Sequence, residues 1–183
     1  MGIEEVNRIK NFFEQSHLHP IYREHAAVVT SEEAAKTRGD QLKEGIKALL
    51  FTNGEDQWVI VDVPADKKVD QKKVAEVLGW SKGKIRMATA GEVMQKTGCE
   101  IGAVPPFGHK ECERKSHSCA EIKSPLYFMH KEQIQIVVDT GVYENEKSAF
   151  NIGLRTHSVK IPTAEMKIVF QEINAIEGNF TKD

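Results

Sequence analysis

A chain of 183 residues, 40% of them hydrophobic and 28% charged, is long enough to bury a core and too evenly mixed to be a disordered or fibrous polymer. No apolar run is long enough to span a bilayer, and the opening Met1-Gly2-Ile3-Glu4-Glu5 lacks the apolar stretch of a secretory signal, so a cytoplasmic location without membrane contact is expected. The 25 Lys and Arg set against 27 Asp and Glu leave a formal charge of −2, which excludes a protein that grips long DNA through one strongly basic face.

In chain order, Ile3, Val6, Ile9 and Phe13 recur at helical spacing and predict a helix from Met1 to about Ser16. A short strand is expected at His25 to Val29. Thr30 and Glu33 stand at capping-box spacing, so Ser31 to about Thr37 reads as a helix closed by Gly39. Gly45 to Phe51 and Trp58 to Val63, with Asn53-Gly54 between them, read as a hairpin of central strands. Asp70 to Leu78 is expected to be helical, with Val74, Val77 and Leu78 on its inner face. Ile85 to Ala88 reads as a strand. Thr89 and Glu92 repeat the capping-box spacing before a helix that stops at Gly98.

Cys99 to Gly108 follows neither period, and Pro105-Pro106 between Gly102 and Gly108 makes it a stiff loop. Residues 109–124 read as an irregular excursion. Strands are expected again at Leu126 to Met129, Ile134 to Val138, Ser148 to Asn151 and His157 to Ile161. A last helix after Pro162 carries Met166, Val169, Phe170 and Ile173 on one side. The whole, residues 1–183, reads as one domain of mixed α+β class.

Lys47 is the only charge in an otherwise apolar strand, so it either reaches a cleft or snorkels from a strand end. In a cleft its ammonium serves as a fixed positive point beside a phosphate or an ester oxygen. Gly102 allows close backbone approach, and the prolines beyond it stiffen the loop, so either backbone N–H groups are presented to a bound carbonyl or the loop is a tight crossover. Cys99 reads as a buried thiol or, less well, as a nucleophile, since no paired base accompanies it. His157 opens a strand after a glycine-containing turn, where a histidine serves either structure or a site. His109, Cys112, His117 and Cys119 supply zinc-type ligands, but their spacing matches no usual finger, so no metal and no cofactor is expected.

Taken together, Lys47-Ala48-Leu49-Leu50-Phe51, then Gly98-Cys99-Glu100-Ile101-Gly102-Ala103-Val104-Pro105-Pro106-Phe107-Gly108, then Val137-Val138-Asp139 and Asn151-Ile152-Gly153, resemble the YbaK/prolyl-tRNA-synthetase-associated family over about residues 20 to 175. The resemblance implies a curved mixed, largely antiparallel sheet wrapped by helices. It implies hydrolysis of mischarged transfer RNA, with the tRNA 3′ acceptor end as substrate and prolyl-tRNA synthetase as a second partner. Alanine on tRNA(Pro) is the expected target, with cysteine or serine, or a silent tRNA-binding module, as alternatives. By the same resemblance Lys47 is the essential lysine, Gly102, Ala103, Val104, Pro105 and Pro106 form the loop that lines the aminoacyl pocket, Asn151 and Gly153 contribute to it, and His157 lies near a histidine found in bacterial insertion domains. The departure from the family pattern is the length of His109 to Ser124.

Overall fold

The computed structural model describes residues 2–109 and 134–182. The strand expected at Leu126 to Met129 and the residues Cys112, His117 and Cys119 lie outside the described residues. Two sheets organise the chain. The larger has five strands: β2 (Ile46–Thr52) and β3 (Trp58–Pro64) form the expected antiparallel hairpin, flanked by β4 (Arg86–Met87), β5 (Ile134–Asp139) and β8 (Ile176–Gly178). β3 pairs with β5, and β5 with β8, in parallel, and the other ladders are antiparallel. The smaller sheet has the order β1 (Ile21–Glu24), β7 (His157–Pro162), β6 (Lys147–Asn151). A single bridge between Gly45 and Ala149 joins the two.

The capping signals act as read. Thr30 Oγ1 accepts from the Glu33 N–H and the Glu33 carboxylate reaches back, opening α2 (Ser31–Arg38), which ends on left-handed Gly39. Thr89 and Glu92 do the same for α4 (Ala90–Thr97), which ends at Gly98. The first strand is displaced from its expected place. It occupies Ile21–Glu24, while the Val29 and Thr30 N–H groups are taken by the Glu33 carboxylate and are lost to any ladder. In α3 (Gln71–Val77) the inner face is Val74 and Ala75, and Val77 faces outward at 44% exposure.

Packing divides among three apolar clusters. The first is closed by α1 (Ile3–Gln15) and α5 (Thr163–Glu172) over β5, β6 and β7, and the second lies between α3 and one face of the larger sheet. The third, with Leu50, Trp58, Ile60 and Cys99, sits between the opposite face, α4 and the 99–108 loop. Phe107 leaves that loop to enter the first cluster. Its ring centroid lies 5.6, 5.9, 5.7 and 5.8 Å from those of Phe12, Phe13, Phe150 and Phe170, mostly edge to face, an arrangement favoured by the ring quadrupoles.

One buried carboxyl opposes this order. Asp62, on β3 between Ala48 and Val138, is fully buried and neither carboxylate oxygen has a hydrogen-bond partner among the described residues. Burial pushes its carboxyl well above the usual carboxylate range, so the folded chain holds a proton that the unfolded chain has released. Its contribution to stability is therefore lost as pH rises through and above 3.8, its unfolded value. Asp62→Val is expected to raise stability at pH 7 by about 1–3 kcal/mol, the cost of an unsatisfied buried polar group. Thermal unfolding at pH 4 and pH 7 checks this: the gain is larger at pH 7, and an equal or absent gain refutes the assignment.

Candidate active site

The cleft that matters lies on the seam between the sheets. α2 forms one wall, the first half of β2 the floor, and the 101–104 loop with the end of β6 the opposite wall; its volume is about 180 Å³. Ser31, Ala34 and Arg38 are the α2 residues that line it, and the small Ala34 between the other two lets the wall stand close without filling the space. Most of the lining is apolar, which lets the few polar groups present act in a poorly solvated setting.

Lys47 lines the floor, as its sequence position suggests. It is half-buried, and its Nζ donates to the Ala65 carbonyl at 3.1 Å. Burial lowers its pKa below the usual lysine value, Glu32 and Asp66 favour the ammonium, and Lys68 opposes it. No carboxylate forms an ion pair with it among the described residues, so its charge is available to a ligand.

Gly102 and Val104 line the opposite wall. Gly102 has φ +85°, and a Cβ there would meet the Val29 carbonyl oxygen at 3.0 Å, so both conformation and space require glycine. Neither the Gly102 nor the Val104 N–H has a partner among the described residues, while the Ala103 N–H is taken by Glu100 O and the Ala103 carbonyl by the Gly153 N–H. Asn151 completes the wall: its Nδ2 donates to Gly102 O at 2.6 Å, and its Oδ1 accepts from Arg38 Nη1 at 3.4 Å.

Other expected site residues stand outside the cleft. Ala103 and the two prolines are buried behind it, and Gly153 is packed against α1, where a Cβ would come within 2.6 Å of Glu5 Cβ. His157 lies on the β1–β7 pair, with Nδ1 2.8 Å from Thr156 Oγ1 and Nε2 3.6 Å from Glu24 Oε1. Of the four zinc-type side chains His109, Cys112, His117 and Cys119 only His109 is described, with Nε2 2.7 Å from Pro105 O, and no group of three metal-type side chains forms among the described residues. Cys99 is buried and absent from the cleft lining, and burial pushes its thiol up to about 11, the wrong direction for a nucleophile.

The sequence reading missed Thr30, Ser31 and Arg38, which line the α2 wall. Their signal was the helix Ser31-Glu32-Glu33-Ala34-Ala35-Lys36-Thr37-Arg38 itself, whose inner face holds alanines where a core helix would hold larger residues. Chemically, the residues around this short apolar recess carry one ammonium, one guanidinium and, in Gly102 and Val104, two backbone N–H groups without a partner among the described residues. That set suits a small acyl ester whose carbonyl oxygen gains charge as it is attacked.

The chain is similar in sequence and in fold to known proteins. The chain is 40% identical over 79 residues to the uncharacterized protein YwhH of Bacillus subtilis (strain 168), a match covering 43% of this chain and 48% of that one, so it spans about half the length of that relative. It is 29% identical over 145 residues to the multifunctional Ser/Thr-tRNA deacylase ProXp-y of Escherichia coli (strain K12), covering 77% of this chain and 73% of that protein. A solved structure described as a proposed trans-editing enzyme for prolyl tRNA synthetase superposes with a TM-score of 0.71 over 98% of both chains at 20% identity, which establishes the shared fold. The family model for the aminoacyl-tRNA editing domain matches residues 25–168, from the end of β1 into α5, and the chain therefore belongs to the aminoacyl-tRNA editing domain family.

Proposed function

We propose that this protein is a trans-acting deacylase that hydrolyses small amino acids from mischarged tRNA(Pro), alanine first. The observation that carries this reading is the cleft itself, a recess of about 180 Å³ with Lys47 on one side and the unpartnered N–H groups of Gly102 and Val104 on the other. Water attacks the ester carbonyl carbon, negative charge collects on the carbonyl oxygen, and the carbon–oxygen bond to the ribose breaks as that oxygen takes up a proton. A fixed N–H donor at such an oxyanion is worth about 3–4 kcal/mol. Lys47 adds positive charge that burial keeps poorly screened.

Selection by size follows from stiffness. A synthetase site built for proline discriminates weakly against smaller alanine, because missing methylenes change binding by only about 1–3 kcal/mol. The editing cleft reverses the bias, since its loop wall is anchored by Phe107 and cannot recede for a pyrrolidine ring. A second reading, serine or threonine as substrate, is favoured by Thr30, Ser31 and Asn151 in the walls and by similarity to a protein named a Ser/Thr-tRNA deacylase.

Single-turnover assays on tRNA(Pro) charged with alanine, serine, cysteine or proline test the proposal. Alanine is released fastest and proline hardly at all; faster serine release selects the second reading, and rapid proline release defeats editing. Lys47→Ala is expected to keep the fold, by circular dichroism, and to lower kcat/KM about a hundredfold or more, equivalent to a few kcal/mol of transition-state stabilisation. Cys99→Ala is expected to leave the rate within about twofold, because a thiol buried away from the cleft takes no part; a hundredfold loss in a folded Cys99→Ala protein would establish a cysteine hydrolase instead.

A further inference from the structure

Three donors from one turn grip three consecutive carbonyls of the loop wall. The turn joins β6 to β7 and is closed on itself, the Ile152 N–H donating to His157 O at 3.1 Å and the His157 N–H to Leu154 O at 3.2 Å. From it Arg155 Nε donates to Ile101 O at 2.9 Å, Asn151 Nδ2 to Gly102 O at 2.6 Å, and the Gly153 N–H to Ala103 O at 2.9 Å. Arg155 is itself fixed. Its carbonyl accepts from the Val28 N–H at 3.1 Å, and its Nε lies 3.4 Å from Glu100 Oε2 in the loop.

These grips decide where the N–H groups of the loop point. No peptide bond there is cis, so each peptide unit is planar with its N–H directed opposite to its C=O. The Gly102 N–H shares a plane with the Ile101 carbonyl, and the Val104 N–H with the Ala103 carbonyl, so both are turned away from the 151–155 turn. The unit between them is used at both ends: Asn151 holds its carbonyl, and its N–H, on Ala103, donates to Glu100 O at 2.9 Å. The two directions are not equally secure. Turning over the Ile101–Gly102 unit changes only ψ of Ile101 and φ of Gly102, and glycine is the residue that tolerates such a change at least steric cost. The Gly102 N–H therefore depends on an outside hold, and that hold is one side chain, Arg155, which is absent from the cleft lining.

We propose that Arg155 is a positioning residue for the deacylation, acting through the Ile101 carbonyl to keep the Gly102 N–H directed at the oxygen where charge collects. The role rests on the deacylase reading for the reaction and adds to it a residue outside the cleft. No covalent step is assigned to it. A donor held in place gains strength as the oxygen becomes charged, whereas a donor free to turn over must be reoriented first. Arg155 thus acts on kcat and leaves KM nearly unchanged.

Three replacements separate the N–H from the charge. A glutamine Nε2 and a methionine Cε stand as many bonds from Cα as an arginine Nε, while a lysine keeps the charge one bond further out. Arg155→Met is expected to lower kcat about tenfold or more, with KM within about twofold, on alanyl-tRNA(Pro) and on 2′(3′)-O-alanyl-adenosine alike. Arg155→Gln is expected to return kcat to within about threefold of the wild type, and Arg155→Lys to stay near the methionine variant. Recovery by Arg155→Lys without recovery by Arg155→Gln assigns the effect to charge and overturns the proposal. So does a loss carried by KM, a loss confined to the transfer RNA, or wild-type kcat in a folded Arg155→Met protein. If Arg155→Met does not fold, Arg155→Lys, whose donor is displaced, carries the same comparison. Calorimetry on two unreactive compounds reads the donor without turnover: the adenosine ester of 1-aminoethylphosphonate, which has an anionic tetrahedral centre, and 3′-alanylamino-3′-deoxyadenosine, which has a planar carbonyl. Arg155→Met is expected to lose about tenfold or more in affinity for the phosphonate and to stay within about twofold for the amide. Equal loss on both, or loss on neither, overturns the proposal. A wild type that binds both compounds and cleaves no ester refutes deacylation alone and leaves this comparison to decide the role of Arg155.

Discussion

The position of one aromatic ring governs the cleft. Phe107 is the last large residue of the 99–108 loop, and the cluster that receives it is assembled from α1, β6 and α5, elements far apart in the chain. Its burial means that the loop wall cannot swing without pulling a ring out of contact with four others, a displacement that forfeits dense packing on every side. The α1 helix reinforces the anchorage with polar contacts. Arg8 Nε donates to Gly108 O at 2.7 Å, Arg8 pairs with the nearly buried Glu5, and Glu5 packs beneath Gly98 and Gly153. Residues before the segment matched by the family thus hold the loop that the family is recognised by.

The electrostatics of the site run against those of the whole chain. A protein with a slight negative charge cannot attract nucleic acid along its surface, and it has no need to if it engages only an acceptor end. Positive charge is instead concentrated where α2, β2 and β7 meet, with Asp40 as the shared counter-ion that keeps Arg23, Arg38 and Lys160 in fixed directions. A network of this kind orients side chains as much as it stabilises them, and the nearly complete burial of Asp40 keeps screening low.

Much of this was legible in the sequence because the signals were local. The two Thr/Glu capping boxes set the starts of α2 and α4, the apolar runs around Asn53-Gly54 set the central hairpin, and the isolated charge at Lys47 marked the floor of the cleft. The failures were of another kind. The first strand slipped because a carboxylate four residues beyond its expected end captured the Val29 and Thr30 N–H groups, which is a side-chain event invisible to hydrophobic period. β8 escaped notice because three residues pairing at an edge carry no pattern of their own. The Gly102 loop was identified, but of Gly102 to Pro106 only Gly102 and Val104 line the cleft, beside Ile101, while Ala103 is buried and held by its bond to Gly153. Arg38 was missed because a basic residue near a helix end has an ordinary explanation in the helix dipole.

The seam between the sheets has a further consequence. Gly45 belongs to the larger sheet by position and touches the smaller one through its bridge to Ala149, and a Cβ at Gly45 would lie 2.9 Å from that of Ala65. The start of β2 and the chain just past β3 therefore meet at the cleft floor with only a hydrogen atom and a methyl group between their backbones. Any larger residue at that joint acts as a wedge, driven against Ala65 and the Leu42 carbonyl oxygen at 3.1 Å and crowding Arg38 Nη2 at 3.8 Å. The gauge of the cleft is thus set at its floor, by a residue whose whole side chain is one hydrogen atom.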